Sequence, residues 1–397
     1  MPVRATKRGD DRTRLDRDCD VLVCGASFAG LAVARELAGS GARVLIVDRY
    51  QIGERQTSAC AMPTVWLQAL DLMDSHRQTF GELVVHTPFR TARWTLPWSF
   101  STFDYRELCG AMWAHADDGE LEFDTATVTG RDGDTVHTDR GDLRAPLIVD
   151  GLGWRRVLSN ATPIQPPDAF LSRGLEVHPH GDGEDMELWI DPSYIRAGYS
   201  WNFPADGELR VGVGSFWPRH HVKEPTVRLA QELGLPAERY QGNWIPHRLR
   251  RATEDGVFFA GDSAGHCLPL TAEGIRTAIY FGLAAGRELR AVVAGARSRD
   301  AALARYAAFS DSHARRFEML LGVQRAVGRM TPTRTLNAVI RAFENRRLAA
   351  WAFGHYLAIA PPSFAGTGGA GGLGSTSSSA RANLRMPSSM AGSARLA

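Results

Sequence analysis

The segment DVLVCGASFAGLAVARELAGSGARVLIVDR, residues 20–49, constrains this chain more than any other. An apolar run ends at Gly25, an amphipathic stretch follows, and a second apolar run stops at Asp48. A buried strand, a glycine turn, a helix and a parallel strand satisfy that order, which opens a Rossmann-like α/β fold. In such a unit the first glycine makes the turn, the second admits a pyrophosphate, and the third lets helix pack on strand. Gly25 and Gly30 hold the outer places. Ser27 holds the middle one, where a small hydroxyl side chain takes little room and can donate to phosphate. Unpaired N–H groups at the helix start then face the phosphates. Asp48 is placed to accept from a ribose, with Arg49 beside it in the same binding set. A tight turn without ligand would use the same residues, and the motif alone does not say which dinucleotide it takes.

Composition narrows the class. With 397 residues, 44% of them hydrophobic, the chain is long enough for two intimate domains. A formal net charge of +2 points to no polyanion, so nucleic acid is not an expected partner. The cysteines (Cys19, Cys24, Cys60, Cys109 and Cys267) are odd in number and scattered, without zinc-binding spacing, and a reduced cytoplasm fits them. Residues 1–18 mix both charges, lack a secretory apolar region and read as a solvated arm.

The stretch LAAWAFGHYLAIA (348–360) falls short of the ~20 residues needed to cross a bilayer, so no transmembrane segment is expected. RTLNAVIRAFENRR (334–347) sets arginines beside an apolar helical stripe. It suits a helix packed on the body, or peripheral contact with a membrane surface. AALARYAAFSDSHARRFEMLLG (301–322) has an amphipathic helix pattern expected to pack internally. Residues 361–397 are Gly/Ser/Ala-biased and read as a disordered tail.

Two later segments return to the core. Residues 121–150 alternate apolar and polar side chains around Asp132-Gly133, a hairpin pair, and end in a short buried run, APLIVDG. GVFFAGDSAGHCLPLTAEGIRTAIYFGLAAG (256–286) reads as a strand, then Gly261-Asp262, a loop, and a helix opening after Pro269. An acid at a strand tip can bind the polyol of a ribityl chain. The following helix N-terminus suits the negative charge that develops on a flavin ring during reduction, and Gly274 allows its close approach.

The ordered trio GASFAG, VDGLGWRR and GDSAGHCLPLTAEGI resembles the FAD-binding motifs of the flavoprotein family that contains aromatic hydroxylases and geranylgeranyl reductases. The resemblance implies that Gly25, Ser27, Gly30 and Asp48 hold the ADP half of FAD. Asp150, Gly151 and Gly261 join the cofactor set, Asp262 binds the ribityl or pyrophosphate region, and the helix after Pro269 faces the ring. FDYRELCGAMW (103–113) resembles the family's helix whose arginine, here Arg106, reaches the cofactor phosphates; a surface charge would read the same.

In GYSWNFPADGELRVGVGSF (198–216), Tyr199, Trp201 and Phe203 share one face of a strand, either as core packing or as a wall for an apolar substrate. The Tyr-x-Trp-x-Phe-Pro run followed by Val-Gly-x-Gly resembles the hallmark of the geranylgeranyl reductase branch. That implies reduction of prenyl C=C bonds by reduced FAD. Some reductases of this branch carry a cysteine near the position of Cys60, which either lines the reaction site as a proton source or is a small buried side chain. His266 is a candidate polar contact or proton donor, or a structural histidine.

The expected architecture is a discontinuous FAD-binding domain (19–80, 99–160 and 250–295) with an inserted antiparallel β-sheet for substrate (81–98 and 161–249). C-terminal helices (296–360) close it. The alternative on the same frame is a monooxygenase hydroxylating an aromatic or polyketide-like molecule with NAD(P)H and O2. A third reading, a flavin carrier without turnover, fits three intact motifs poorly. With no second glycine-rich unit, any NAD(P)H would act as a transient electron donor.

Overall fold

Val21–Cys24 and Leu147–Asp150 are buried at every position, as strands covered on both faces must be. In the computed structural model, which describes residues 13–56, 58–116, 119–161, 168–329 and 334–367, they form the centre of a six-stranded sheet. Its order is Thr253–Glu254, Val257–Phe259, Leu147–Asp150, Val21–Cys24, Val44–Asp48 and Leu121–Thr125, parallel except at the first pair. Helices Phe28–Leu37 and Ile275–Val293 cross here at close range. A Cβ at Gly282 would lie 2.5 Å from the Ala29 carbonyl oxygen, so this crossing requires glycine.

Val128–Asp132, Thr135–Thr138 and Gly141–Arg144 form the expected meander, turning at Gly133-Asp134, one residue later than anticipated; Gly133 takes φ +57° there. Arg17–Asp18 pairs in parallel with its last strand, so residues 13–18 of the supposed arm are tied to the body. Residues 1–12 lie outside the described residues.

The second sheet has eight strands, in the order Gln241–Pro246, Leu171–Val177, Leu209–Ser215, Gly198–Pro204, Met186–Trp189, His76–Thr87, Arg90–Phe103 and Ala61–Pro63. It is antiparallel except where Met186–Trp189 runs parallel to His76–Thr87. Residues 76–103 make one long hairpin wholly within this sheet, so boundaries at 80 and 98 would cut through paired strands. Helices Arg299–Asp311, Ala314–Arg329, Arg334–Ala342 and Arg346–Leu357 follow. The expected 301–322 helix is thus two, the first capped by Ser298, whose side chain accepts from the Ala301 N–H. Residues 362–367 form a 3-10 turn with Ala365 buried, so the start of the supposed tail is packed; residues 368–397 lie outside the described residues.

Candidate functional site

One cavity of about 1540 Å³ runs from the tips of the parallel strands, across one face of the eight-stranded sheet, to the C-terminal helices. At its nucleotide end Gly25 adopts φ +109°, and a Cβ there would stand 2.5 Å from the Gly151 carbonyl oxygen. A Cβ on Gly30 would collide with the Gly25 carbonyl, which explains the glycine where helix meets strand. Ser27 precedes a helix with no acid in its first turn, leaving the positive helix end uncompensated. Its hydroxyl accepts from Tyr105 at 3.2 Å. Asp48 accepts from the N–H groups of Ala26 (2.8 Å) and Tyr50 (3.0 Å) while bordering the cavity; burial pushes its carboxyl up.

Arg49 borders the cavity with its guanidinium 4.9 Å from the Tyr50 ring centre, and Arg55 lies beside that ring and hydrogen-bonds its hydroxyl. Arg106 is not brought to the site. It is exposed, away from the cavity lining, while its neighbour Tyr105 faces inward. Gly53, at φ +71°, packs on the Arg106 backbone. Arg55, which sequence reasoning passed over, and Arg155, which follows Asp150-Gly151 in the VDGLGWRR motif but was given no role, supply cationic lining instead.

The two strand-tip acids have different fates. Asp150 is fully buried and accepts from the Ser263 hydroxyl (2.7 Å) and from the N–H groups of Leu152 and Leu158 (both 2.9 Å). It holds the turn together and does not border the cavity, which corrects its assignment as a cofactor ligand; Gly151 does border it. Asp262, after Gly261 at φ +62°, borders the cavity, and no donor among the described residues hydrogen-bonds its carboxylate. Burial raises it from the ordinary 3.8 to about 6, opposed only by Arg250.

The helix expected after Pro269 begins at Ile275, with Gly274 as its N-cap. Leu270 and Ala272 take left-handed φ values of 71° and 53°, a conformation that no helix continues through. Pro269 therefore sits in a turn behind the lining and starts no helix. The looped-out Thr271 carbonyl instead accepts from the Tyr199 hydroxyl at 2.5 Å, clamping the loop to the large sheet. Gly274 borders the cavity, where a Cβ would press on the Cys267 sulfur at 3.2 Å. Next to it, Glu273 binds the fully buried Arg276 twice (2.6 and 2.8 Å). Arg276 also donates to the carbonyls of Leu357 and Ala360, and the Tyr356 hydroxyl donates to Glu273. This cluster fastens the last helix over the loop.

His266 is corrected from a catalytic candidate to a structural residue. It is fully buried outside the cavity lining, stacked 3.7 Å from the Phe281 ring centre, with Nε2 at 3.1 Å from the Ser310 hydroxyl. Burial drives its pKa down, so the ring is neutral.

Tyr199, Trp201 and Phe203 are half-buried on the cavity wall. The Trp201 indole lies across neighbouring strands, 3.5 Å from the Cβ position of Gly174 and 3.3 Å from that of Gly214. At Gly212 a Cβ would collide with the ring. The Val-Gly-x-Gly pattern is the bed for this ring. Trp201 Nε1 donates to Glu176 at 3.1 Å. Cys60 also lines the wall, with a strained φ of +49°; burial pushes its thiol well up, so it stays protonated. Opposite, Trp94, Trp98 and Phe100 from the long hairpin face Val327, Ile340 and Phe353 from the C-terminal helices, none of them singled out from the sequence.

Together these features define the class: a Rossmann-like FAD-binding flavoprotein fold with a large apolar chamber. A probable FAD-dependent monooxygenase from Pseudomonas aeruginosa matches it with a TM-score of 0.59, 19% identity, and 85% of this chain and 100% of the other covered. A geranylgeranyl bacteriochlorophyll reductase-like protein from Thermoplasma acidophilum matches with a TM-score of 0.75, 17% identity and coverages of 88% and 98%. No family model matches the chain.

More particularly, the sequence is similar to geranylgeranyl reductases over three quarters of its length. It is 22% identical over 338 residues to digeranylgeranylglycerophospholipid reductase 3 of Methanosphaera stadtmanae, covering 75% of this chain and 83% of that one. It is 25% identical over 336 residues to geranylgeranyl diphosphate reductase of Rhodobacter capsulatus, covering 77% and 83%. The resemblance read from the motifs is therefore borne out.

Proposed function

We propose that the protein is an FAD-dependent oxidoreductase that saturates C=C bonds in a prenyl chain. The observation that carries this reading is the large apolar cavity leading from the dinucleotide cradle, past Trp201, between sheet and C-terminal helices. Its walls suit a long flexible hydrocarbon. The residues present also fit the cofactor: a glycine turn, an uncompensated helix end, and a cavity-facing carboxylate with no donor among the described residues.

In this reading the N-terminus of helix Phe28–Leu37 holds the pyrophosphate, Asp48 the ribose and Asp262 the ribityl hydroxyls. The loop 270–274, braced by Tyr199, faces the ring. Bound and reduced, FAD supplies hydride. Trp201 and Phe203 hold the alkene against the ring side, and the apolar walls exclude water. NAD(P)H serves as a transient electron donor.

We further place the protein in the cytoplasm, touching a membrane through its C-terminal helices. Among the described residues no helix is long and apolar enough to cross a membrane. Met319, Val339 and Trp351 are both exposed and part of the cavity lining, and Arg315 and Arg316 lie on the same wall, a combination that suits an anionic lipid surface.

The test is anaerobic stopped-flow absorbance of the flavin-reduced protein mixed with geranylgeranyl diphosphate or a polyprenyl quinone. Reoxidation without oxygen, with a product heavier by hydrogen only, is expected. A flavin that stays reduced until oxygen is admitted, with a product gaining an oxygen atom, puts the hydroxylase reading in its place.

A further inference from the structure

Saturating a C=C bond takes a hydride and a proton, and the proton must reach a chamber built to exclude water. Among the groups on the chamber wall, Cys60 is one source, but no hydrogen-bonding group among the described residues reaches its thiol, so nothing refills it. Glu176 is differently placed. It is only 2% exposed, borders the chamber beside Trp201, and is backed by a chain of titratable groups. Its Oε2 accepts from Trp201 Nε1 at 3.1 Å and its Oε1 from His178 Nε2 at 2.9 Å. The other ring nitrogen of His178, Nδ1, lies 3.2 Å from Glu208 Oε1. The Glu208 side chain is 26% exposed, so the chain of contacts ends in solvent.

We propose that Glu176 delivers the proton to the prenyl chain and that His178 and Glu208 carry its replacement inward from solvent. The proposal rests on the prenyl reductase reading. An indole needs one acceptor; it does not need an imidazole and a second carboxylate behind that acceptor. Two glutamates facing His178 outweigh its burial and raise its pKa, which keeps the imidazole protonated and able to pass a proton on. The charged groups around this relay are Glu176, on the strand that ends just before His178, Glu208, and two cations on Glu208: Arg210 (3.1 Å) and Arg239 (3.4 Å). Arg210 also donates to the carbonyls of Ala59 (2.7 Å) and Cys60 (3.1 Å), fixing the Cys60 segment against the relay.

The step balances. The reduced flavin gives a hydride to one alkene carbon and the π bond breaks, while a proton passed from the His178 imidazolium through the Glu176 carboxylate forms the C–H bond at the other carbon. The His178 imidazole, left neutral, regains a proton from solvent by way of Glu208, and Glu176 returns to the carboxylate.

The experiment uses FAD-loaded, pre-reduced protein mixed anaerobically with geranylgeranyl diphosphate across pH, comparing wild type, Glu176→Gln and His178→Asn. Glutamine still accepts from Trp201, so a structural role predicts near wild-type reoxidation, whereas proton donation predicts a loss of about 100-fold or more. His178→Asn should slow repeated turnover and remove the fall in rate that wild type shows as pH rises through the His178 pKa. Bound flavin, read by absorbance, reports folding in each variant. Wild-type rates in Glu176→Gln overturn the proposal. Should that variant fail to load flavin, a wild-type rate and pH profile in His178→Asn overturns it equally. If the wild type itself is not reoxidised by the prenyl compound, the reductase reading fails before the relay is at issue.

Discussion

Asp262 carries a pH signature that can be calculated from its surroundings. The folded protein holds its carboxyl at about 6, against 3.8 ordinarily, because burial at the cavity wall raises it and no donor among the described residues hydrogen-bonds it. The folded state therefore binds this proton more tightly than the unfolded chain. Without cofactor, its contribution to stability is present below about pH 4 and is lost as pH rises through 6. A shift of about two units corresponds to roughly 3 kcal/mol. Asp262→Asn removes the titration while keeping the shape. The difference in unfolding free energy between variant and wild type, measured by urea denaturation of flavin-free protein, should grow in the variant's favour by about 3 kcal/mol between pH 4 and 7. With FAD bound the gap should shrink, since ribityl hydroxyls would then solvate the carboxylate, and the variant should bind FAD about 10- to 100-fold more weakly. A difference that stays flat with pH refutes the argument that this carboxylate is desolvated and unpaired.

Gly212→Ala should push the Trp201 ring off its bed, destabilising the fold by about 1–3 kcal/mol and slowing anaerobic reoxidation while FAD stays bound; an unchanged rate would return Trp201 to mere packing. Arg276→Met should leave Glu273 buried without its cation and cost about 3–5 kcal/mol in denaturation. His266→Phe should keep the wild-type reoxidation rate, because the ring lies outside the chamber; a large loss would restore it as a catalytic group. Trp351→Asp should weaken co-sedimentation with anionic vesicles and leave binding to neutral vesicles unaltered, and equal sedimentation on anionic vesicles would remove this helix from the proposed membrane contact.

What was legible in the chain was local. The turn at Gly25, the helix after it and the acid at 48 are contiguous, and their chemistry follows from neighbours a few residues away. Asp150 and Asp262 look alike in sequence, each closing an apolar strand, yet Ser263 donates to one and no donor among the described residues reaches the other. That distinction belongs to a partner 113 positions along the chain. Pro269 was misread because proline suits a helix start in general, whereas here the left-handed residues on either side of Thr271 postpone the helix. His266 took its meaning from Phe281 and Ser310, and the Glu176 relay from three separate stretches, 176–178, 201 and 208. A Glu-x-His at the end of a strand near a tryptophan motif was the available signal, and it is too short to stand out. The roof helices read as ordinary amphipathic helices because a chamber wall and a core use the same side chains.

The chamber has no partition between the dinucleotide cradle and the aromatic wall. A long hydrocarbon lying along the sheet therefore also blocks the route by which a loosely held dinucleotide would escape. The hydrocarbon thus slows the departure of the dinucleotide without altering its equilibrium affinity. Protein isolated with lipid inside should keep its yellow colour through dialysis that bleaches the lipid-free form.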